Sequence, residues 1–128
     1  MRPQENWGGK PVSTLLWTNP SPNSSFVSNA YSMNLSGIKT VIIEYKREAS
    51  TNIYLYAVLS LEGVSNTNRT VIGGQYGGYG VARTLFPDSD TQMFFGDCYN
   101  IIGQMVDSAC IPYKIYGLTE SITSIFGL

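Results

Sequence analysis

The chain contains no histidine. That excludes Ser-His-Asp and Cys-His catalysis, histidine-ligated metal centres and the usual proton switch near neutral pH. Charge is scarce as well: Asp, Glu, Lys and Arg make up 13% of the 128 residues, with a formal net charge of -1. Without a basic stripe, nucleic acid is not the expected partner, and nothing draws the chain to an anionic membrane surface. There is no apolar run near the ~20 residues needed to span a bilayer, and Met1-Arg2-Pro3-Gln4-Glu5-Asn6 offers no signal-peptide core. The expectation is a protein made and kept in the cytosol until assembly or lysis. Cysteine is limited to Cys98 and Cys110, which lack metal-site spacing. They could pair as one disulfide, but two reduced thiols are the favoured reading.

What the chain does have is polarity carried by Asn, Ser, Thr, Gly and nine tyrosines, with a hydrophobic fraction of 43%. That is enough apolar material for one domain to bury a core without metal or disulfide staples. Residues 1–12, with two prolines and Gly8-Gly9, read as an N-terminal arm with Trp7 as its anchor. Short apolar segments then alternate with turn signals. Ser13–Trp17, Phe26–Leu35 and Thr40–Tyr45 read as strands, with Thr18-Asn19-Pro20-Ser21-Pro22-Asn23 as the first dense turn. The clearest period of two runs through Asn52–Leu61: Ile53, Leu55, Ala57, Leu59 and Leu61 share one face, and Tyr54, Tyr56, Val58 and Ser60 the other. That second face is itself rather apolar, which suits a central strand or one touching a partner subunit.

Arg69–Gln75 and Tyr79–Phe86 follow around a Gly-rich stretch, then a turn at Pro87-Asp88-Ser89-Asp90, a strand at Thr91–Phe95, and a loop-like Asp97–Ala109. Cys110–Leu118 closes the series. Pro112 inside it cannot donate a ladder hydrogen bond, which places it at a sheet edge, a strand start or a bulge. About eight short strands with turns between them predict an all-β, antiparallel β-sandwich or jelly roll over residues 13–118. Residues 119–128 form a tail in which Ile122, Ile125 and Phe126 would align on one face of a short helix, either to fold onto the chain's own sandwich or, the favoured reading, to dock on a neighbour.

Several clusters bear on chemistry. Tyr76 and Tyr79, on the Gly-rich stretch, and Tyr99 and Asn100, in the loop-like region, are the candidate ligand or partner surface. An aromatic platform would stack on a sugar or on an apolar patch, although a tight glycine turn with the tyrosines packing is the more economical reading of Tyr76 and Tyr79. Asp88, Ser89, Asp90 and Asp97 could offer oxygen ligands to calcium, but they lack the regular ladder of an EF-hand loop, and capping of the turn that begins at Pro87 explains Asp88 and Ser89 better. No carboxylate pair is singled out for glycoside hydrolysis. Arg83 and Glu44 read as solvated, outward-facing positions. No catalytic residue, metal ligand or cofactor site is expected, and Trp7, Ile122, Ile125 and Phe126 are the expected assembly contacts.

Two motifs carry a family resemblance. Leu15-Leu16-Trp17-Thr18-Asn19-Pro20 and the closing Ile111-Pro112-Tyr113-Lys114-Ile115-Tyr116-Gly117-Leu118 resemble those of small tail-associated proteins and tail-fibre end domains of tailed bacteriophages and prophages. Met33-Asn34-Leu35-Ser36-Gly37, Val41-Ile42-Ile43-Glu44-Tyr45, Gly80-Val81-Ala82-Arg83-Thr84 and Phe94-Phe95-Gly96-Asp97 fall between them in the matching order, so that the likeness spans residues 15–118. The resemblance implies a virion structural protein at the tail tip or on a fibre, involved in host attachment. The expected partners are copies of itself (a trimer), other virion proteins and host cell-surface glycan. A capsid decoration or assembly protein is the alternative, and a carbohydrate-active tail protein the third.

Overall fold

The structure, a computed structural model, describes residues 13–128. The arm assigned to residues 1–12, with Trp7, lies outside the described residues. Eight strands form: β1 (Thr14–Thr18), β2 (Asn29–Ser32), β3 (Thr40–Glu48), β4 (Tyr54–Ser60), β5 (Thr70–Tyr76), β6 (Tyr79–Ser89), β7 (Gln92–Asn100) and β8 (Ala109–Leu118). They pair antiparallel into two four-stranded sheets, ordered β1-β8-β3-β4 and β2-β7-β6-β5. The all-β sandwich expected from the strand spacing is therefore present. Its middle strands stay within one sheet: β3 and β4 make a hairpin, and β5, β6 and β7 a meander.

The core lies between the sheets, where alternate residues of each strand meet: Val41, Ile43 and Tyr45 from β3, Val81 and Leu85 from β6, Met93 and Phe95 from β7, Ile111 and Ile115 from β8. Leu55, Ala57 and Leu59 pack against it from β4, while Tyr54, Tyr56 and Val58 stand exposed, as their period of two requires. That strand is an edge, not a centre. At one end of the core Trp17, Phe26, Tyr31 and Phe95 form an aromatic cluster; Phe26 stacks on Tyr31 at 5.0 Å between centroids and meets Phe95 edge-on at 5.7 Å.

The two prolines inside strands explain themselves by position. Pro112 lies in β8, which is interior, so the edge expectation is corrected; the bulge expectation holds, because the β3–β8 register shifts between Glu44 and Tyr45 there. The pairing of β1 with β8 ends at Thr18↔Lys114, and Asn19 continues it without needing a donor from Pro112. The buried Asn19 donates its backbone N–H to Tyr113 O (2.7 Å) and its side-chain Nδ2 to Pro112 O (2.8 Å). Pro87 repeats the arrangement in β6. It lies beyond the last β5 partner, Thr70↔Leu85, and beside a second register shift, so the turn falls later, at Asp90-Thr91.

Other boundaries differ from expectation. Only Asn29–Ser32 of the second segment pairs as a strand, although Phe26, Met33 and Leu35 are buried beside it. The loop-like Asp97–Ala109 begins as strand, since β7 runs on to Asn100. A two-residue bulge at Gly96-Asp97 shifts the phase, so that Cys98 follows Phe95 into the core. The tail folds as one helical turn, α1 (Ile122–Phe126), capped by Ser121 Oγ, which accepts from Ser124 N–H at 3.2 Å, and by Gly127 in the left-handed region. Ile122 and Ile125 are half-buried and Phe126 is 58% exposed.

Candidate functional site: a groove on the second sheet

The outer face of the second sheet carries residues that barely rise from the backbone. Gly80, Ala82 and Thr84 alternate along β6, with Gly73 beside Ala82 on β5 and Gly96 across on β7. The closeness is structural: a Cβ on Gly96 would lie 2.6 Å from Thr84 Oγ1. The result is a cavity of about 740 Å³ with a low floor. Tyr99 and Ile101 line it on one side, and Arg69 and Phe94 on the other. Tyr99, 47% exposed, sits opposite Ala82 in the β6–β7 register, so the small side chain leaves its ring standing free.

Polar groups are fixed around this floor. The Arg69 guanidinium lies over the rings of Phe86 (4.7 Å) and Phe94 (5.3 Å) and donates to Asn66 O, Asn66 Oδ1 and Thr84 Oγ1. Asp97, turned outward by the bulge, accepts the Ser28 N–H through Oδ1 at 2.7 Å. Among the described residues it is the one carboxylate of the lining. Glycoside hydrolysis ordinarily uses two carboxyl groups flanking the scissile bond, and the described lining presents Asp97 alone.

The sequence candidates separate in space. Tyr99 and Asn100 line the groove; Tyr76 and Tyr79 do not. Those two face each other across the β5–β6 hairpin, whose turn is Gly77-Gly78 with φ of 60° and 83°. Tyr76 packs on the core and Tyr79 is 42% exposed. Asn100 borders the groove but spends its side chain on the next loop: Oδ1 accepts from Ile102 N–H and Gln104 N–H, and Nδ2 donates to Gln104 Oε1. Its role is to shape the wall that Ile101 belongs to.

Asp88 and Asp90 sit at the β6–β7 turn, where Ser89 Oγ accepts the Thr91 N–H, while Asp97 is at the bulge with Ser28. Among the described residues no three acidic or thiol side chains gather as a metal site. Arg69, Thr84, Phe94 and Gly96 escape a linear reading, and Asp97 stands out there only as a possible calcium ligand. The one signal within the sequence is the run of small residues Gly80, Ala82 and Thr84 at strand period.

Arg83 corrects the expectation of a solvated position. It is fully buried between the sheets, in phase with Val81 and Leu85. Its guanidinium donates to Cys110 O (2.9 Å), Gly96 O (3.0 Å) and Ala109 O (2.9 Å) and lies 5.0 Å from the Phe26 ring centroid. Successive carbonyls of a regular strand point to opposite sides, yet those of Ala109 and Cys110 both reach Arg83. The left-handed φ of 49° at Cys110 is what turns them together. Burial pulls the guanidinium below its ordinary pKa, and the two thiols, Asp97 and Asp107 work against that. Glu44 is half-buried, with Oε2 accepting from Tyr56 OH at 2.9 Å.

Cys98 and Cys110 are free and buried, one from each sheet. A hydrogen bond between their sulfurs lowers the Cys98 pKa and, with burial, raises that of Cys110.

No family model, no curated protein and no solved structure matches this chain. No helix among the described residues is long and apolar enough to cross a membrane.

Proposed function

We propose that this chain is a non-catalytic virion module of a tailed bacteriophage, at the tail tip or on a fibre, that contacts host cell-surface glycan through the groove of the second sheet. The groove carries the reading. A free-standing aromatic ring, a low floor and fixed polar groups suit a sugar, whose apolar ring face stacks while its hydroxyls take hydrogen bonds. Tyr99 supplies the stacking face, Arg69 the donors and Asp97 the acceptor. The resemblance supports the virion setting, and its two motifs form one unit here: Leu15 pairs with Tyr116 and Trp17 with Ile115, and Asn19 bonds Pro112 and Tyr113.

Binding of the purified chain to cells of the phage's host tests this. Wild-type protein should adsorb, and Tyr99→Ala should lose most of the adsorption while keeping its melting temperature. Equal adsorption by both proteins would count against the groove.

The loop after β7 favours a second reading, a capsid decoration or assembly protein. Ile101, Ile102 and Met105 are 76%, 56% and 52% exposed, an apolar knob suited to a protein partner. Antibody labelling of virions separates the two: label on the tail agrees with attachment, label on the head with decoration.

A further inference from the structure

Sheet edges are ordinarily protected by charge, proline, bulges or brevity, because their unpaired N–H and C=O groups invite another strand. Two of the four edges here are protected in such ways, and a third is partly satisfied by a side chain. β2 has only four residues. β1 is broken by a register shift between Leu15 and Trp17. On β5 the Gly73 carbonyl already accepts from Tyr45 OH at 2.6 Å.

β4 has none of these defences. Its sequence, Tyr54-Leu-Tyr-Ala-Val-Leu-Ser60, contains no charge and no proline, and its register with β3 is unbroken from end to end. The direction of its backbone follows from the flanking bonds. Arg47 N–H donates to Ile53 O (2.9 Å) and Leu61 N–H to Lys39 O (2.8 Å). Bonding residues alternate along an antiparallel strand, so Leu55, Ala57 and Leu59 bond β3. Tyr54, Tyr56, Val58 and Ser60 direct their N–H and C=O groups to the other side, where no described residue forms a backbone bond with them.

We infer that a second copy of this chain pairs on β4, antiparallel, about a two-fold axis at Ala57, and joins the two β1-β8-β3-β4 sheets into one. The sequence of β4 complements itself in this register. Tyr56 falls opposite the partner's Val58, and Tyr54 opposite the partner's Ser60, and all of these are residues whose backbone groups face outward. An aromatic side chain beside a β-branched one is a favourable cross-strand pair. The non-bonded pair at the axis, where strands approach most closely, is Ala57 against its own copy, which is small enough to fit. Leu55 meets the partner's Leu59 and extends the core layer. The ends agree in charge as well, since antiparallel pairing brings the exposed Arg47 of one copy toward the partner's Glu62, also exposed. The assembly is a two-fold dimer, in place of the trimer expected from the sequence, and does not depend on what the groove binds.

Sedimentation of the full chain, together with hydrogen exchange at single amides, tests this. The expected result is a dimer in which the Tyr54, Tyr56, Val58 and Ser60 amides are protected. Val58→Pro removes an outward donor and leaves the bonds to β3 intact, so it should give a folded monomer with those amides exposed. If that variant does not fold, Tyr56→Lys, at a side chain 65% exposed, decides the matter. It should weaken association by roughly tenfold or more, because two cross-strand pairs are lost per dimer. A wild-type monomer at high concentration, a trimer, a dimer with freely exchanging β4 amides, or a Tyr56→Lys dimer of undiminished affinity would each overturn the inference.

Discussion

Arg83 shows most clearly how one side chain organises this core. A guanidinium without water needs its N–H groups satisfied in a planar fork, and here main-chain carbonyls from both sheets supply the acceptors. Lysine cannot reproduce that fork. Arg83→Lys should therefore cost about 3 kcal/mol or more of stability, read from urea unfolding; a loss below about 1 kcal/mol would mean that the carbonyls find other partners. The burial of Arg83 was partly legible, because it shares strand phase with Val81 and Leu85. Charge made the outward reading the natural one, and the carbonyl acceptors, set by a bulge and by Cys110, are invisible in a linear sequence. Tyr45 carries a second prediction at this scale. Burial, with the Cys110 thiol adding to it, holds its hydroxyl above the ordinary tyrosine pKa, and burial raises Tyr31 similarly against the opposing Arg83. A group whose pKa is raised on folding contributes stability below its unfolded value, about 10, and loses it as pH climbs through the folded value. Stability should thus fall above about pH 10. Tyr45→Phe should cost about 1 kcal/mol at pH 8 through the lost bond to Gly73 O, and should make the alkaline fall shallower. An unchanged alkaline slope would remove Tyr45 from that account.

Strands were the most readable elements, for the reason that a half-buried strand writes its burial as a period of two. β4 could be assigned residue by residue from alternation alone. Where reading went astray, a non-local partner decides the outcome. Pro112 suggests an edge when taken alone; β8 is interior because β1 flanks it, and the pairing ends before it would call for the N–H that proline lacks. Asp97 reads as loop until β6 is known to pair across it. The aromatic cluster around Trp17 is another product of such distant pairing, since it ties β1 to β2 and β7. Trp17 lies 5.1 Å from Tyr31 and 6.3 Å from Phe26 between ring centroids. Trp17→Ala should lower stability by about 3 kcal/mol, the lower end for large aromatic truncations because the ring is half-buried. A mutant with wild-type thermal melting would place the indole outside the cooperative core.

The whole molecule is a sandwich whose two outer faces differ in kind. The first sheet ends in an unguarded strand, which suits a second copy. The second is hollowed by small residues between Tyr99 and Arg69, which suits a ligand. Of that groove only Tyr99 and Asn100 were picked out from the sequence, because its parts come from β6, β7 and the turn before β5, which only the meander brings together. The claim that this groove binds sugar is most directly tested by amide NMR of the full chain titrated with oligosaccharides from the host's surface polysaccharide. Shifts concentrated at Arg69, Ala82, Thr84, Gly96, Asp97 and Tyr99, saturating with ligand and absent in Tyr99→Ala, are the result this account requires. Saturable shifts centred on Tyr76 and Tyr79 or on α1, with the groove unmoved, would contradict it.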